Sequence, residues 1–233
     1  MRVSIVIPFY NEEESVEEVL REVCGVMPDA EVLAVDDGSD DSTAEKISNH
    51  AKSSNVRYLG MAKNCGQSAA LYLGLHHASG DVCVMMDGDG QNDPADIPAL
   101  LERSREMNIV CGYRKTRQDN WQKKVASRIA NNIRSSFLQD GVRDTGCTLK
   151  VIRKEHVKQL VPFNALHRFL PALLKNAGVE VIEVPVNHRP RKRGISKYTV
   201  AGRAWKGIYD LIGVSWLLTR QVTWSINPYS TEV

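Results

Sequence analysis

The chain has 233 residues, 42% hydrophobic and 25% charged, with a formal net charge of +2 at pH 7. This composition fits a folded globular protein with one well-buried domain, and the near-neutral charge gives no support to nucleic-acid binding. The five cysteines are scattered and odd in number, which argues against a disulfide framework or a zinc site and favours a reducing compartment. Neither a signal-peptide core nor about 18 consecutive apolar residues for a spanning helix is found, so we expect a cytoplasmic protein.

Short apolar runs alternate with stretches of helical periodicity along the first part of the chain. The runs are nearly continuous, which predicts strands buried on both faces, at Val3–Ile7, Val32–Val35, Val56–Gly60, Val82–Met86 and Ile109–Gly112. The first helical stretch places Val16, Val19, Leu20 and Val23 on one face. Before the fourth helix, Asp93 is a candidate cap and Pro94 suits the first helical position. The alternation predicts βαβ units and an open parallel sheet.

Acidic residues follow three of the predicted strands. Glu12 comes after the first strand, Asp37 after the second, and Asp87 and Asp89 after the fourth. Ligands of such sheets bind at the carboxyl ends of the strands. Two carboxylates in one tight turn repel each other unless a hard divalent cation lies between them and a phosphate-bearing ligand. A nucleoside diphosphate with a metal ion fits this edge, although Asp-Gly pairs are also common in ordinary turns.

Two other nucleotide-binding folds are excluded by their motifs. A dinucleotide-binding fold would carry G-x-G-x-x-G after the first strand, where this chain has PFYNEEE. A P-loop would need G-x-x-x-x-G-K-[ST], and that string does not occur. A dehydrogenase and a P-loop NTPase are therefore not expected.

Four segments in order resemble the nucleotide-binding half of inverting glycosyltransferases with the GT-A fold: VSIVIPFYNEE, VDDGSDDST, NCGQSAAL and MMDGDGQNDP. The string DGDGQNDP is similar to the polyprenyl-phosphate glycosyltransferase branch, which includes dolichol-phosphate mannose synthase. DTGCTLK, HRFLPALLKNAG and HRPRKRGISKY extend the likeness to about residue 200. The resemblance implies an α/β fold with a Rossmann-like, mostly parallel sheet flanked by helices.

The resemblance also implies roles for individual residues. The donor, a UDP- or GDP-sugar, would be held by Pro8, Tyr10, Glu12, Asp37, Asp87 and Gly88. Asp87 and Asp89 would bind Mg²⁺ or Mn²⁺, with Gln91 nearby on the acceptor side. Arg114, Lys123 and Ser127 would meet a lipid phosphate, and Arg191, Ser196 and Lys197 would form a basic loop that closes on the diphosphate and acceptor. Lys123 stands where the family often has arginine, which alone offers a bidentate grip on phosphate.

The nature of the acceptor decides whether a catalytic base is needed. Transfer to a sugar hydroxyl usually requires a carboxylate to remove a proton, whereas a polyprenyl phosphate is already an anion. The stretch NALHRFLPAL offers His167 and Arg168 but no acid where other branches of the family have one. We therefore expect a phosphate acceptor, with His167 alternatively a polar residue of a packed helix. Transfer to a saccharide hydroxyl and a non-catalytic nucleotide-sugar-binding scaffold remain alternatives.

The last part of the chain has an aromatic and apolar stripe beside cations. Trp205, Ile208, Tyr209, Ile212 and Trp216 recur at helical spacing, with Arg203 and Lys206 alongside. This pattern is typical of a helix in a membrane interface, and packing on the domain or in a homo-oligomer is the alternative. We predict a glycosyltransferase domain at 1–198, an amphipathic interface helix at 199–220 and a loose tail at 221–233, with the protein peripheral on the cytoplasmic face of a membrane.

Overall fold

A computed structural model of the chain describes residues 1–52, 54–104, 109–115, 134–190 and 200–220, the last with side chains from residue 207. The strands are β1 Val3–Phe9, β2 Glu31–Asp36, β3 Val56–Gly60, β4 Val82–Met85, β5 Ile109–Arg114, β6 Lys150–Arg153 and β7 Val181–Val186. The helices are α1 Val16–Val26, α2 Thr43–Ala51, α3 Gln67–His77, α4 Ile97–Arg103, α5 134–138, α6 Lys154–Val157, α7 Leu166–Asn176 and α8 Val200–Thr219.

The described strands form one seven-stranded sheet in the order β3-β2-β1-β4-β6-β5-β7. β1 pairs in parallel with β2 and β4, and β5 pairs in parallel with β7. β6 is antiparallel to both of its neighbours, β4 and β5. The predicted mostly parallel α/β sheet is thus confirmed, and the strands at all five predicted positions are present. β6 and β7 were not predicted.

The core of the sheet lies around β1, β2 and β4. Every residue of β4 is buried, and so are the last six residues of β1. The prediction that all strands are buried on both faces is wrong for β3, where Arg57, Tyr58 and Gly60 are exposed. β3 is an edge strand that pairs only with β2, and an edge position leaves side chains in solvent.

Two local helix predictions are confirmed. Val16, Val19, Leu20 and Val23 are the buried residues of α1. The Asp93 side chain accepts a hydrogen bond from the Ala95 backbone N–H at 3.0 Å and caps a 3₁₀ turn at Pro94–Asp96, which leads into α4. The first turn is tighter than predicted, but its cap and its proline are where the sequence indicated them.

The chain divides into two compact units, Met1–Lys197 and Tyr198–Val233. In the second unit, the described part of α8 exposes Ile208, Tyr209, Ile212 and Trp216. Among the described residues, no helix combines the length and apolar character required to cross a bilayer. The predicted tail, 221–233, lies outside the described residues, and the predicted division into a catalytic domain and an interface helix stays a prediction.

Glu31 at the start of β2 stabilises the fold through its charge. Burial alone would raise the pKa of this carboxyl, but hydrogen bonds from Ser4, Ser79 and Arg57 outweigh that effect and lower it to about 2. A pKa lowered in the folded state stabilises the protein above the unfolded value near 4.5, and this stabilisation is lost as the pH falls toward 2.

Glu31→Gln is therefore expected to lower the free energy of unfolding at pH 7 by about 2 kcal/mol, less than the full pKa shift implies because water partly screens the charge. Urea unfolding measured from pH 7 to pH 3 should show that the difference in the free energy of unfolding between variant and wild type becomes smaller below pH 4.5. Glu45→Gln, at an exposed position of α2, is the control and should change little at any pH. An undiminished difference at pH 3 would contradict this account of Glu31.

Candidate active site

The predicted acids lie at one edge of the sheet. Phe9 is in register with Asp36, and the Asp37 backbone N–H donates to the Phe9 carbonyl at 2.8 Å. On the other side of β1, the Met86 N–H donates to the Val6 carbonyl at 3.1 Å. The loops after β1, β2 and β4 therefore leave the sheet side by side. This edge contains the predicted donor residues.

The loop after β1 is tied to the loop after β4. The Ser15 hydroxyl lies 2.9 Å from the Glu12 carboxylate and 3.3 Å from the Gly88 carbonyl oxygen. Pro8 is buried within β1, and Tyr10 is half-buried where the strand ends. The structure therefore brings these residues together, and their contact with a nucleoside stays a prediction.

Asp37 is held by the segment that precedes α3. Its two carboxylate oxygens accept hydrogen bonds from the Cys65 and Gly66 backbone N–H groups, both at 2.8 Å. Burial raises the pKa of Asp37, the two bonds partly offset this, and Asp36 raises it further. The Asp37 side chain thus positions this segment, and its contact with a base or ribose stays a prediction.

Asp87 is the most heavily constrained acid of the site. Its backbone N–H donates to the Asn92 side chain at 3.0 Å, and Gln67 Nε2 donates to its Oδ1 at 2.6 Å. Burial raises the pKa of Asp87 to about 6 and Asp89 adds to the rise, against the opposing effects of a Thr148 hydrogen bond, Lys150 and Arg114. A carboxylate that repels its neighbour in this way gains from a bound cation.

Asp89 and Gln91 form the outer part of the same turn. The Gln91 N–H donates to Asp89 Oδ1 at 3.1 Å, and the Gln91 carbonyl accepts from the Arg189 N–H at 2.9 Å. The side chain of Gln91 lies 3.5 Å from His188 Nε2. The loop after β7 is therefore fastened to the loop after β4 beside the two acids.

The oxygen ligands of this turn fit a hard divalent cation. Asp87 and Asp89 offer two carboxylates, and Mg²⁺ and Mn²⁺ prefer oxygen ligands of this kind. Across the part of the chain that the structure describes, no three His, Cys, Asp or Glu side chains converge on a metal position. A six-coordinate ion held by the two acids would take its other ligands from a diphosphate and water.

Gly88 lets the turn approach β1. A Cβ at this position would lie 2.5 Å from the Phe9 ring and 2.6 Å from the Pro8 carbonyl oxygen. We expect Gly88→Ala to lower the melting temperature by about 5 °C, because the backbone must shift by an amount that costs about 2 kcal/mol. Gly25→Ala in α1, where a Cβ meets no atom within 4 Å, should leave the melting temperature unchanged or raise it. Equal melting temperatures for the two variants would contradict the packing described.

Arg114, at the end of β5, forms a bidentate ion pair with Asp144. Its Nε and a terminal guanidinium nitrogen donate to the two carboxylate oxygens at 2.7 and 2.8 Å. The side chains are 16% and 11% exposed, so the pair is mostly shielded from water. The guanidinium also acts electrostatically on Asp87. Arg114 thus lies at the predicted edge, and its role toward an acceptor phosphate stays a prediction.

Several residues of the site were not predicted, among them Gln67, Ser68 and Lys150. Lys150 is fully buried at the start of β6, donates to the Cys147 carbonyl and acts electrostatically on Asp87. Because β6 runs antiparallel, its first residue lies beside Met85, close to the end of β4. The segments NCGQSAAL and DTGCTLK contain these residues, and their resemblance to the family is the sequence signal that points to them.

Five predicted site residues lie outside the described residues: Lys123, Ser127, Arg191, Ser196 and Lys197. Arg189, which precedes the predicted basic loop, is held by carboxylates of Glu22 at 2.6 Å and Asp93 at 2.8 Å. Its charge therefore anchors the loop after β7 to α1 and the 3₁₀ turn.

The fold and this edge define a glycosyltransferase with the GT-A fold. The chain belongs to glycosyl transferase family 2, whose family model matches residues 4–161. The crystal structure of glucosyl-3-phosphoglycerate synthase from Mycobacterium tuberculosis, in complex with Mn²⁺, UDP and glucosyl-3-phosphoglycerate, superimposes with a TM-score of 0.66. The alignment covers 94% of this chain and 79% of that one at 18% identity, a likeness of fold alone.

Two relatives are closer in sequence. Undecaprenyl-phosphate 4-deoxy-4-formamido-L-arabinose transferase from Enterobacter sp. (strain 638) is 36% identical over 218 residues, which cover 91% of this chain and 66% of that protein. Dodecaprenyl-phosphate galacturonate synthase from Rhizobium johnstonii is 35% identical over 232 residues, which cover 94% of this chain and 68% of that protein. The chain thus spans about two thirds of the length of both relatives. The expected branch of the family is confirmed.

Proposed function

We propose that this protein transfers a sugar from a nucleoside diphosphate sugar to a polyprenyl phosphate, with inversion at the anomeric carbon. In this reaction a phosphate oxygen of the lipid bonds to the anomeric carbon as the bond to the diphosphate breaks, and the nucleoside diphosphate leaves with the electron pair. The observation that carries the proposal is the pair Asp87 and Asp89, which lies beside Glu12 and Asp37 at the carboxyl edge of the sheet. The names of the two relatives supply the acceptor class.

Asp87 and Asp89 are the residues that would hold Mg²⁺ or Mn²⁺. When bound, the ion supplies positive charge to the departing diphosphate. Gln67 and Asn92 fix the Asp87 carboxylate and backbone through their hydrogen bonds, so that it is oriented before a ligand arrives. Arg114, fixed by Asp144, would add positive charge on the acceptor side, where it attracts an anion.

The environment of His167 favours an acceptor that needs no base. Burial, together with the positive charges of Lys150 and Arg168, lowers the pKa of His167 to about 3. Its Nδ1 lies 2.9 Å from the Ser68 hydroxyl. A histidine with this pKa takes up a proton too weakly to serve as a general base near pH 7. A phosphate anion, which attacks without losing a proton, suits this site better than a saccharide hydroxyl.

A membrane location fits the exposed aromatic and aliphatic side chains of α8. Ile208, Tyr209, Ile212 and Trp216 are each more than half exposed, and such side chains partition into a lipid headgroup region. We propose that this face meets the cytoplasmic leaflet, where a polyprenyl phosphate presents its phosphate to the enzyme. Burial of the same face in a homo-oligomer is the alternative.

Radiolabelled UDP- and GDP-sugars, incubated with the protein, Mn²⁺ and undecaprenyl phosphate, test the proposal. Label should enter the organic phase only when lipid phosphate and metal are both present. Label in a water-soluble glycan would instead identify a saccharide hydroxyl as the acceptor. Nucleotide-sugar binding without any transfer would favour the non-catalytic scaffold.

A further inference from the structure

The first turn of α3 connects three parts of the site that are far apart in sequence. Immediately before the helix, the backbone N–H groups of Cys65 and Gly66 hold Asp37. Gln67 donates to Asp87 at 2.6 Å, and the next residue, Ser68, lies 2.9 Å from His167 Nδ1. Four consecutive residues at the start of α3 thus contact Asp37, Asp87 and His167. Lys150 acts electrostatically on both Asp87 and His167, so the two side chains lie in the same part of the site.

The Ser68 contact determines which nitrogen of His167 can meet a ligand. Ser68 is 6% exposed, and its hydroxyl occupies the Nδ1 side of the ring. His167 is the second residue of α7, which begins directly after Ala165 in the left-handed conformation (φ 71°). The helix start and the Ser68 bond together fix the orientation of the ring, and Nε2 is then the ring nitrogen that can bond to a bound molecule.

The charges around His167 indicate what kind of ligand group it would meet. Lys150, fully buried on β6, and Arg168, the next residue of α7, both disfavour a positive charge on the ring. The anionic groups of the substrates would bind elsewhere, at the candidate metal held by Asp87 and at Arg114. An uncharged imidazole with one nitrogen fixed suits a hydroxyl group, which can both donate and accept a hydrogen bond.

We propose that His167, positioned by Ser68, contacts a hydroxyl group of the sugar that is transferred. This inference rests on the proposed nucleotide-sugar donor but does not depend on the identity of the acceptor. His167 is the contact residue, and Ser68 is a positioning residue that acts through it. The His167–Ser68 pair therefore contributes to the affinity for a nucleotide sugar and does not contribute to the affinity for the bare nucleotide.

That difference is the basis of the test. The affinities of wild type for UDP, GDP, UDP-glucose and GDP-mannose are measured by calorimetry in the presence of Mn²⁺. The variants are then measured with the pair, uridine or guanosine nucleotides, that wild type binds more tightly. His167→Ala should weaken binding of the nucleotide sugar about tenfold and leave affinity for the bare nucleotide within twofold. In the transfer assay, its KM for undecaprenyl phosphate should be unchanged.

Conservative variants separate a hydrogen bond from a merely structural role. The amide N–H of His167→Gln can take the place of Nε2, so this variant should recover much of the lost affinity. His167→Phe keeps a ring of similar size without nitrogen and should behave like His167→Ala. Ser68→Ala should cause a smaller loss in the same direction, and Ser68→Thr, which keeps the hydroxyl, should bind as wild type does.

His76→Ala is the matched control, because His76 is exposed near the other end of α3, where its Nδ1 bonds to the Tyr72 carbonyl of its own helix. It should leave both affinities unchanged. Equal losses for the nucleotide sugar and the bare nucleotide in His167→Ala, or wild-type affinity for the nucleotide sugar, would overturn the assignment while the proposed function stands. If wild type binds none of the four nucleotides, the proposed function fails, and the assignment fails with it.

Discussion

Asp89→Asn should reduce sugar transfer by about 10³-fold while the protein remains folded. Asparagine preserves the size of the side chain and the oxygen that accepts from the Gln91 N–H at 3.1 Å, so the turn should persist. What is lost is one of two negative charges available to the metal ion. A divalent cation that stabilises a leaving diphosphate contributes several kcal/mol to the transition state, and each 1.4 kcal/mol is worth about tenfold in rate.

Transfer rate, Mn²⁺ affinity in the presence of nucleotide, and melting temperature should be measured together. Asp29→Asn is the matched control, because it makes the same change at an exposed residue before β2, at the opposite edge of the sheet. It should match wild type in all three measurements. Retained turnover and Mn²⁺ affinity in Asp89→Asn would show that the metal assignment is wrong.

β1, β2 and β4 could be predicted because each contains a buried, uninterrupted or nearly uninterrupted apolar run. β1 and β4 are almost entirely apolar, and β2 has four apolar residues between its terminal Glu and Asp. β6 has only four residues, with Lys150 at its start and Arg153 at its end, and so lacks any apolar run of strand length. β7 contains Glu183 and Pro185 and is only partly buried over its first four residues. Whether a short or mixed segment forms a strand depends on its pairing with neighbouring strands, which a local sequence pattern does not show.

The acids of the site could be predicted for a related reason. A residue that directly follows a parallel strand must lie at the carboxyl edge, so Asp37, Asp87 and Asp89 were placed by the strands alone. The residues that orient them could not be found in this way. Gln67 meets Asp87 across 20 positions of the sequence, and Ser68 meets His167 across 99. Such contacts arise from how loops and helices pack, and no local spacing encodes them.

Replacement of Arg114 by methionine is expected to have the second largest effect, a loss of transfer of about 10²-fold. Methionine fills similar space without charge, so it removes both the cation proposed for the acceptor phosphate and the partner of Asp144. Because the pair is mostly shielded from water, removing the guanidinium beside the Asp144 charge should also lower the free energy of unfolding by about 3 kcal/mol. The loss of activity has to be separated from this loss of stability.

Asp144→Asn provides that separation, because it weakens the same pair and keeps the Arg114 charge. If Arg114 aims an incoming phosphate, Asp144→Asn should lose stability to a similar extent but retain most of its activity, and the KM for undecaprenyl phosphate should rise chiefly in Arg114→Met. Arg2→Met, at an exposed surface ion pair with Asp81, is the control, since surface pairs contribute little. Equal activity losses in Arg114→Met and Asp144→Asn would mean that Arg114 acts only through the fold. A greater loss of acceptor affinity in Arg114→Met would instead place its guanidinium on the phosphate that attacks the sugar.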